Sequence, residues 1–239
     1  MEPQTRPISK GSIHIWHTSL SPWKNKVEEL SAVLSDTETS RKEQLVFQNR
    51  AEDYVISRGI LRNILARYLG QVPESVPLKT YPDGKPYLPG SELYFNLSHS
   101  EGLFLFGLAL GTPIGIDLQH VYPISNMNTI IKNYFSPEEQ NIINSVKENQ
   151  FQDLFFTIWT AKEAYLKGTG EGFQRPPNSF TICHKNKGLL KFELRENLNS
   201  TLNNVWNIRE IHLASNYKAA LAVKGEILQI QSKPFLPLD

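Results

Sequence analysis

Seven side chains have the types and spacing to do chemistry together: Asn96, Ser98, His99, Asp117, Gln119, Glu163 and Lys167. The first three follow or interrupt a short apolar run at 93–97, and Asp117 and Gln119 close another that begins Ile114-Gly115-Ile116. Polar, metal-competent groups at strand ends suit a site better than a core. Glu163 and Lys167 come from a different context. Positions 151, 155, 159, 163 and 167 lie along one slowly rotating helical line, reading Phe, Phe, Trp, Glu, Lys. The aromatics mark that line as the buried face, where an unpaired charge costs on the order of several kcal/mol. Either a plain i,i+4 Glu163–Lys167 pair compensates it, worth about 0.3–0.5 kcal/mol if exposed, or a metal ion or anionic ligand does. Asp117 favours the second, because it too is an acid emerging from an apolar segment. In a strand, residues 117 and 119 point to the same side. Oxygen-only ligation suits Mg²⁺, which keeps several waters and is completed by substrate phosphates. Asp117, Gln119, Glu163 and nearby lysines therefore read as a metal–diphosphate site.

The elements that position these groups are legible in outline. Alternation predicts a strand at 13–17, in which His14 and His17 face opposite sides and do not share an ion. A helix is expected at 23–34, ending near the Ser35-Asp36 cap signal, and a charged helical tract at 37–47. The first strong helix runs from 50 to 69, with Tyr54, Leu61, Leu65 and Tyr68 at helical spacing and Gly70 ending it. Arg58 and Arg62 sit beside its apolar line, either with stems along the core edge or as a phosphate-facing pair. Pro82-Asp83-Gly84 is a turn that projects Lys85. Strands at 93–97 and 103–110 read as a hairpin. Ser136-Pro-Glu-Glu139 opens a helix, and 151–167 is the second strong helix, ended by Gly168 and Gly170. Strands follow near 179–184, 189–194, 205–213 and 217–223, and the last nine residues read as a surface tail. Two long helices, each ended by glycine and followed by a proline-bearing loop and strands, suggest two similar α+β halves. The 111–116 segment crosses between them.

The whole chain sets bounds. Its 239 residues are 40% hydrophobic and 21% charged, with 25 Lys plus Arg against 24 Asp plus Glu. That balance points to neither nucleic acid nor an anionic membrane, so anion binding must come from local clustering. A single cysteine, Cys183, excludes an internal disulfide and a cysteine-rich zinc site, and fits a reducing, cytoplasmic setting. The longest apolar run, 103–110, is too short to span a bilayer, and residues 1–12 carry no signal-peptide core.

In order along the chain, SRGILR at 57–62, GKPYL at 84–88, FNLSHS at 95–100, GIDLQ at 115–119, FSPEE at 135–139 and WTAKEAYLK at 159–167 resemble the Sfp-type 4′-phosphopantetheinyl transferases. The resemblance implies an α+β fold of two similar halves in a pseudo-twofold arrangement, 1–112 on the nucleotide side and 113–239 carrying metal and catalytic helix, with the active site in the cleft between them. It implies an Mg²⁺-dependent enzyme that moves the 4′-phosphopantetheine arm of coenzyme A onto a serine hydroxyl of an apo acyl or peptidyl carrier protein and releases 3′,5′-ADP. By similarity, Asp117, Glu163 and Gln119 would face the metal, and Glu163, Lys167 and His99 would be catalytic. Arg50, Arg58, Lys85, Pro86, Asn96, Ser98, His99, Lys162 and Lys167 would contact coenzyme A, Ser98 and His99 at the 3′-phosphate end. Two departures stand out: Asp53 where some members carry an arginine for that phosphate, and Gln119 where bacterial members often have glutamate. Apolar residues between 121 and 135 (Val121, Tyr122, Ile124, Met127, Ile130, Ile131) form either a groove for a carrier helix or core. The family implies a monomer. A non-catalytic module that binds coenzyme A or a nucleotide is the alternative.

Overall fold

The computed structural model describes residues 7–82, 84–184, 191–196 and 205–237. β1 (Ser12–Ser19) leads into α1 (Val27–Ala32), α2 (Asp36–Glu43) and α3 (Gln48–Leu69), then the paired two-residue strands β2 (Lys79–Thr80) and β3 (Pro86–Tyr87). β4 (Leu93–Ser100) and β5 (Leu103–Leu110) follow as a hairpin, and β6 (Ile114–His120) begins the second half. Then come α4 (Met127–Tyr134), α5 (Pro137–Ser145), α6 (Glu148–Thr169), β7 (Phe180–His184), β8 (Lys191–Glu196), β9 (Trp206–Ile211), β10 (Tyr217–Lys224) and β11 (Gln229–Pro234). One sheet has the order β11-β1-β5-β4, the other β6-β10-β9-β8-β7.

The halves repeat one topology. β1 pairs antiparallel with β5, itself paired to β4, just as β6 pairs antiparallel with β10, itself paired to β9. α3 and α6 are both 22 residues long and both stop at a left-handed glycine, Gly70 (φ 64°) and Gly170 (φ 78°). This is the expected α+β fold. Local chemistry sets its boundaries. Ser35 with Glu38, and Ser136 with Glu139, form capping boxes that start α2 and α5. Glu101 (φ 41°) and Gly102 (φ 74°) make the two-residue turn between β4 and β5. Ile56, Ile60 and Ile64 of α3 bury against Trp16, Phe95, Phe104 and Phe106 of the first sheet. Ala161, Ala164 and Tyr165 of α6 bury against Ala220, Ala222 and Ile208 of the second. None of the described helices is long and apolar enough to cross a membrane.

Three expectations need correction. The helix expected at 23–34 opens as a 3₁₀ turn, Ser21–Lys26, and becomes α-helical only at Val27. Arg62 fits neither of its two readings. Its side chain is 1% exposed, with Nε donating to Glu38 Oε2 at 2.7 Å and Nη1 to the carbonyls of Pro73 and Val76 at 3.0 and 3.1 Å. It ties α2, α3 and the following turn together. The chain's end is not a surface tail: β11 adds in parallel to β1, and Phe235 is 3% exposed, stacked on Trp23 and edge-on to Trp16. A polar, mostly exposed edge strand has no hydrophobic pattern by which to be recognised. Part of the strand expected at 189–194 lies outside the described residues; β8 begins at Lys191.

Phe235 closes the first core from the far end of the sequence, with the Arg67 guanidinium 4.6 Å from its ring centroid. Phe235→Ala is expected to cost about 3 kcal/mol, at the low end for a large aromatic because a terminal segment relaxes easily. Urea denaturation checks this, and a loss below about 1 kcal/mol would remove the closing role.

Candidate active site

The two halves are stitched by side chains instead of a backbone ladder. Asn96 Oδ1 accepts from the Ile116 amide at 2.8 Å, Ser98 Oγ from Leu118 at 3.2 Å and Ser100 Oγ from His120 at 2.9 Å. Every second residue of β4 thus satisfies every second N–H on the free edge of β6, which would otherwise be buried donors. Short polar residues alternating at 96, 98 and 100 are the signal that marks this seam. It holds Asp117 and Gln119 in register with β4.

A second close approach brings α6 over β6. A Cβ on Gly115 would lie 2.0 Å from the Ala164 carbonyl oxygen and 2.2 Å from the Gly168 nitrogen, so only glycine fits. Gly168 is confined in turn by the Trp206 ring, 2.6 Å from where its own Cβ would be. The glycine preceding Ile116-Asp117 therefore lets the helix carrying Glu163 and Lys167 reach the strand carrying Asp117.

Asp117, 1% exposed, is the hub. Its Oδ1 accepts from Lys167 Nζ at 2.6 Å and from Ser98 Oγ at 3.0 Å; its Oδ2 accepts from Gln119 Nε2 at 3.3 Å. Lys167 Nζ also donates to Ser98 Oγ at 3.1 Å. Glu163 completes the group. Burial first, and then the nearby Asp117 charge, raise its carboxyl to about 7, with Lys167 pulling the other way. Two carboxylates thus stand close together with one ammonium between them. Among the described residues no three His, Cys, Asp or Glu side chains gather as a metal cluster. The donors are two carboxylates and, with its NH₂ committed to Asp117, the Gln119 amide oxygen. Such a set fits a hard divalent cation that takes its remaining ligands from phosphate and water.

The raised Glu163 pKa predicts a pH effect on the free protein. Between pH 4.5 and about 7 the folded carboxyl keeps a proton that the unfolded one has released, so stability falls as pH rises through that window. Glu163→Gln removes that fall, and in metal-free buffer at pH 8 it is expected to be about 2–3 kcal/mol more stable than the parent. Denaturation at pH 5 and pH 8 measures it; equal pH slopes in parent and variant would contradict it.

These groups open into a cavity of about 470 Å³ lined by Arg58, Lys85, Pro86, Asn96, Ser98, His99, Asp117, Gln119, Glu163 and Lys167, among others. A larger cavity of about 980 Å³ adjoins it, walled by Tyr81, Tyr87, Tyr94 and Pro113 and holding none of the carboxylates. Lys85 and Pro86 belong to both, and Lys85 Nζ donates to the Lys167 carbonyl, an acceptor left open in the last turn of α6. Asp117, Glu163, Lys167 and His99 all line the smaller cavity.

Several sequence-based placements change. Lys162 does not reach a phosphate: it is 1% exposed, with Nζ bonded to both oxygens of Glu139 (2.6 and 2.8 Å) and to the Phe180 carbonyl (2.8 Å). Arg50 is exposed over the Phe47 ring, outside the cavity lining. Ser98 bonds Asp117 and Lys167, and the Asn96 oxygen is committed to backbone. The aromatic line of α6 is only partly the buried face: Phe155 is buried, but Phe151, Trp159, Glu163 and Lys167 are half-buried, and Ala161, Lys162 and Tyr165 face the interior. Of the residues expected either to form a carrier groove or to be core, Met127 and Ile131 are core with Phe135, Ile143 and Phe155, while Tyr122 is 48% exposed. Burial lowers the His99 pKa, and so does Lys167, while Asp53 opposes.

Residues 113–222 match the family model of the 4′-phosphopantetheinyl transferase superfamily, and residues 16–107 match that of the 4′-phosphopantetheinyl transferase N-terminal region. The 4′-phosphopantetheinyl transferase HetI of Nostoc sp. is 36% identical over 178 residues, covering 73% of this chain and 75% of its own. A putative 4′-phosphopantetheinyl transferase of Synechocystis sp. is 31% identical over 216 residues, covering 86% and 85%. A holo-(acyl-carrier-protein) synthase from Bacillus anthracis, solved in complex with CoA (3′,5′-ADP), superposes with a TM-score of 0.40 at 20% identity over 48% of this chain and 96% of its own. With both halves matched by family models and more than a third of residues shared with HetI over most of either chain, this protein belongs to the 4′-phosphopantetheinyl transferase superfamily.

Proposed function

We propose that this enzyme transfers the 4′-phosphopantetheine arm of coenzyme A to a serine hydroxyl of an apo acyl or peptidyl carrier protein and releases 3′,5′-ADP. The observation that carries the reading is the convergence of Asp117, Glu163 and Lys167 at the mouth of a cavity that also receives Arg58, His99 and Lys85. In the transfer, the serine Oγ forms a bond to the phosphorus bearing the pantetheine arm. The bridging P–O bond to the other phosphorus breaks, and 3′,5′-ADP leaves with that oxygen. Such reactions depend mostly on positioning and on neutralising phosphate oxygens.

Asp117 and Glu163 would hold Mg²⁺, with Gln119 facing it directly or through water, and the ion would supply charge neutralisation on the diphosphate. Glu163 would take the serine proton directly or through a water held by the cation, the second route gaining weight because a carboxylate that holds a cation is less basic. Lys167 would shift from Asp117 towards the diphosphate as that charge arrives. Pro86 and Lys85 would flank the base, and Arg58 and His99 the ribose end. The halves 1–112 and 113–239 divide nucleotide from catalytic side, with β11 returning to the first sheet. Exposed Tyr122 marks the rim where a carrier helix would dock, and the working unit is a cytoplasmic monomer.

Incubation with coenzyme A, Mg²⁺ and several apo carriers, followed by intact-mass measurement, tests the reading. A carrier gaining one phosphopantetheinyl group supports it. Tight binding of coenzyme A with no gain on any carrier would favour the non-catalytic module.

A further inference from the structure

We propose that Arg175 is a positioning residue for the nucleotide donor: it pins the loop after α6 to the body of that helix, and the loop forms one wall of the cavity in which the donor sits. The proposal rests on the transferase reading above and adds to it a group that does not touch the donor.

Three residues stand between the smaller cavity and the larger one, since Lys85, Pro86 and Gly170 line both. Lys85 and Pro86 come from the first half, and Lys85 is tied across to the Lys167 carbonyl. Gly170 comes from the second half, with Gly172 beside it on the donor side. These two glycines hold φ of 78° and 51°, and a Cβ on either would meet no atom within 4 Å. Nothing wedges the backbone on that side, so the loop lies where its anchors hold it.

Arg175 is such an anchor. Its Nη1 donates to the Tyr165 hydroxyl at 2.9 Å and to Glu171 Oε2 at 3.3 Å. Its guanidinium carbon lies 5.4 and 5.0 Å from the ring centres of Tyr165 and Phe180. These contacts differ in weight. The Glu171 side chain is 46% exposed, and ion pairs at such positions contribute little. Tyr165 is 2% exposed and packs edge-on against Phe180 and Trp206, so its hydroxyl is a fixed acceptor. A charged donor bonded there and lying over two rings ties residue 175 to the interior of α6. The 3₁₀ turn Gly172–Gln174, closed by the Gln174 amide on the Glu171 carbonyl at 3.1 Å, carries that constraint back to Gly170.

Arg175 itself lines neither cavity. Its removal lets the partition yield, so the donor is held less well before and during the reaction alike. A uniform loss of binding raises KM and leaves kcat.

Steady-state transfer to one apo carrier, read by intact mass, tests this. Arg175→Ala is expected to raise the KM for coenzyme A by about tenfold, with kcat and the KM for the carrier within about twofold of the parent. Tyr165→Phe removes only the hydroxyl and keeps the buried ring. It is expected to raise the same KM by about threefold or more and to add little in the double variant, because both changes break one bond. Calorimetric titration of coenzyme A into each variant is expected to order the Kd values in the same way. A fall in kcat, or a carrier KM that rises alongside, assigns Arg175 a merely structural role and overturns the proposal. A KM for coenzyme A within about twofold of the parent in both single variants overturns it too. If Arg175→Ala does not fold, Tyr165→Phe decides alone. A parent that neither binds coenzyme A nor modifies a carrier overturns the transferase reading together with this one, whereas normal transfer with unmoved variants overturns this one alone.

Discussion

Asp117→Ala and Glu163→Ala are each expected to reduce carrier modification by about 10³-fold or more, while Gln119→Ala is expected to keep substantial activity, within about 10–100-fold of the parent. The three side chains share one wall of one cavity, so the difference is one of charge and connection. Asp117 is buried and accepts from Lys167, Ser98 and Gln119; its loss frees the ammonium and hydroxyl that it orients and, under the proposed reading, also removes a cation ligand. Glu163 is the only other carboxylate among the described residues lining this cavity, and under the proposed reading it also serves the serine proton. Gln119 is neutral, and its amide nitrogen is held at 3.3 Å from Asp117, so its removal loosens a ligand without removing charge. Steady-state transfer assays, with calorimetric titration of Mg²⁺ into each variant, separate these cases. Equal losses in all three would mean that Gln119 is a full ligand.

Lys162→Ala and Glu139→Ala are each expected to destabilise the protein by about 3–5 kcal/mol, because each leaves the other as an uncompensated buried charge. The pair is sealed: Glu139 is 0% and Lys162 1% exposed. Glu139 accepts from both Ser136 and Ile182 amides at 2.7 Å, so one carboxylate caps α5, anchors β7 and neutralises α6. Burial raises the Glu139 carboxyl and lowers Lys162 to about 8, each partner opposing the other's shift. The ammonium also lies 4.3 Å from the Phe180 ring centroid. Replacing both, as Glu139→Gln with Lys162→Met, is expected to recover much of the loss, since no buried charge is then left alone. Denaturant titration measures all three variants. If Lys162 instead met a phosphate, Lys162→Ala would raise the KM for coenzyme A and leave stability within about 1 kcal/mol of the parent.

Lys162 and Glu163 are neighbours in the chain, yet one belongs to the architecture and the other to the chemistry. Helical geometry separates them by about 100°. The sequence places both on α6, and the aromatic series Phe151, Phe155, Trp159 points towards Glu163 and Lys167. It cannot show that this series reaches the margin of the buried face by Trp159, because the margin depends on which elements cover the helix. Ala220 and Ala222 of β10 and Phe180 of β7 cover it on the Lys162 side. Ser98 carries the same lesson. Period two puts it on one face with Asn96 and Ser100, but only the packing of β6 against β4 shows that its hydroxyl meets Asp117.

What the sequence by itself determined is local: the two long helices and their terminating glycines, the cap signals at Ser35 and Ser136, the β4–β5 hairpin, and Asp117 and Glu163 as acids emerging from apolar segments. These follow from periodicity, cap chemistry and the cost of buried charge, all of which act over a few residues. Tertiary structure alone decided the rest. It brought β11 back to β1, closed the first core with Phe235, matched Arg62 to Glu38 and Lys162 to Glu139, and left Arg50 at the surface. It also set α6 close enough to Gly115 for Glu163 to feel Asp117. Those outcomes turn on contacts between residues far apart in the chain, where hydrogen-bond satisfaction and excluded volume choose among partners that residue type alone leaves equivalent.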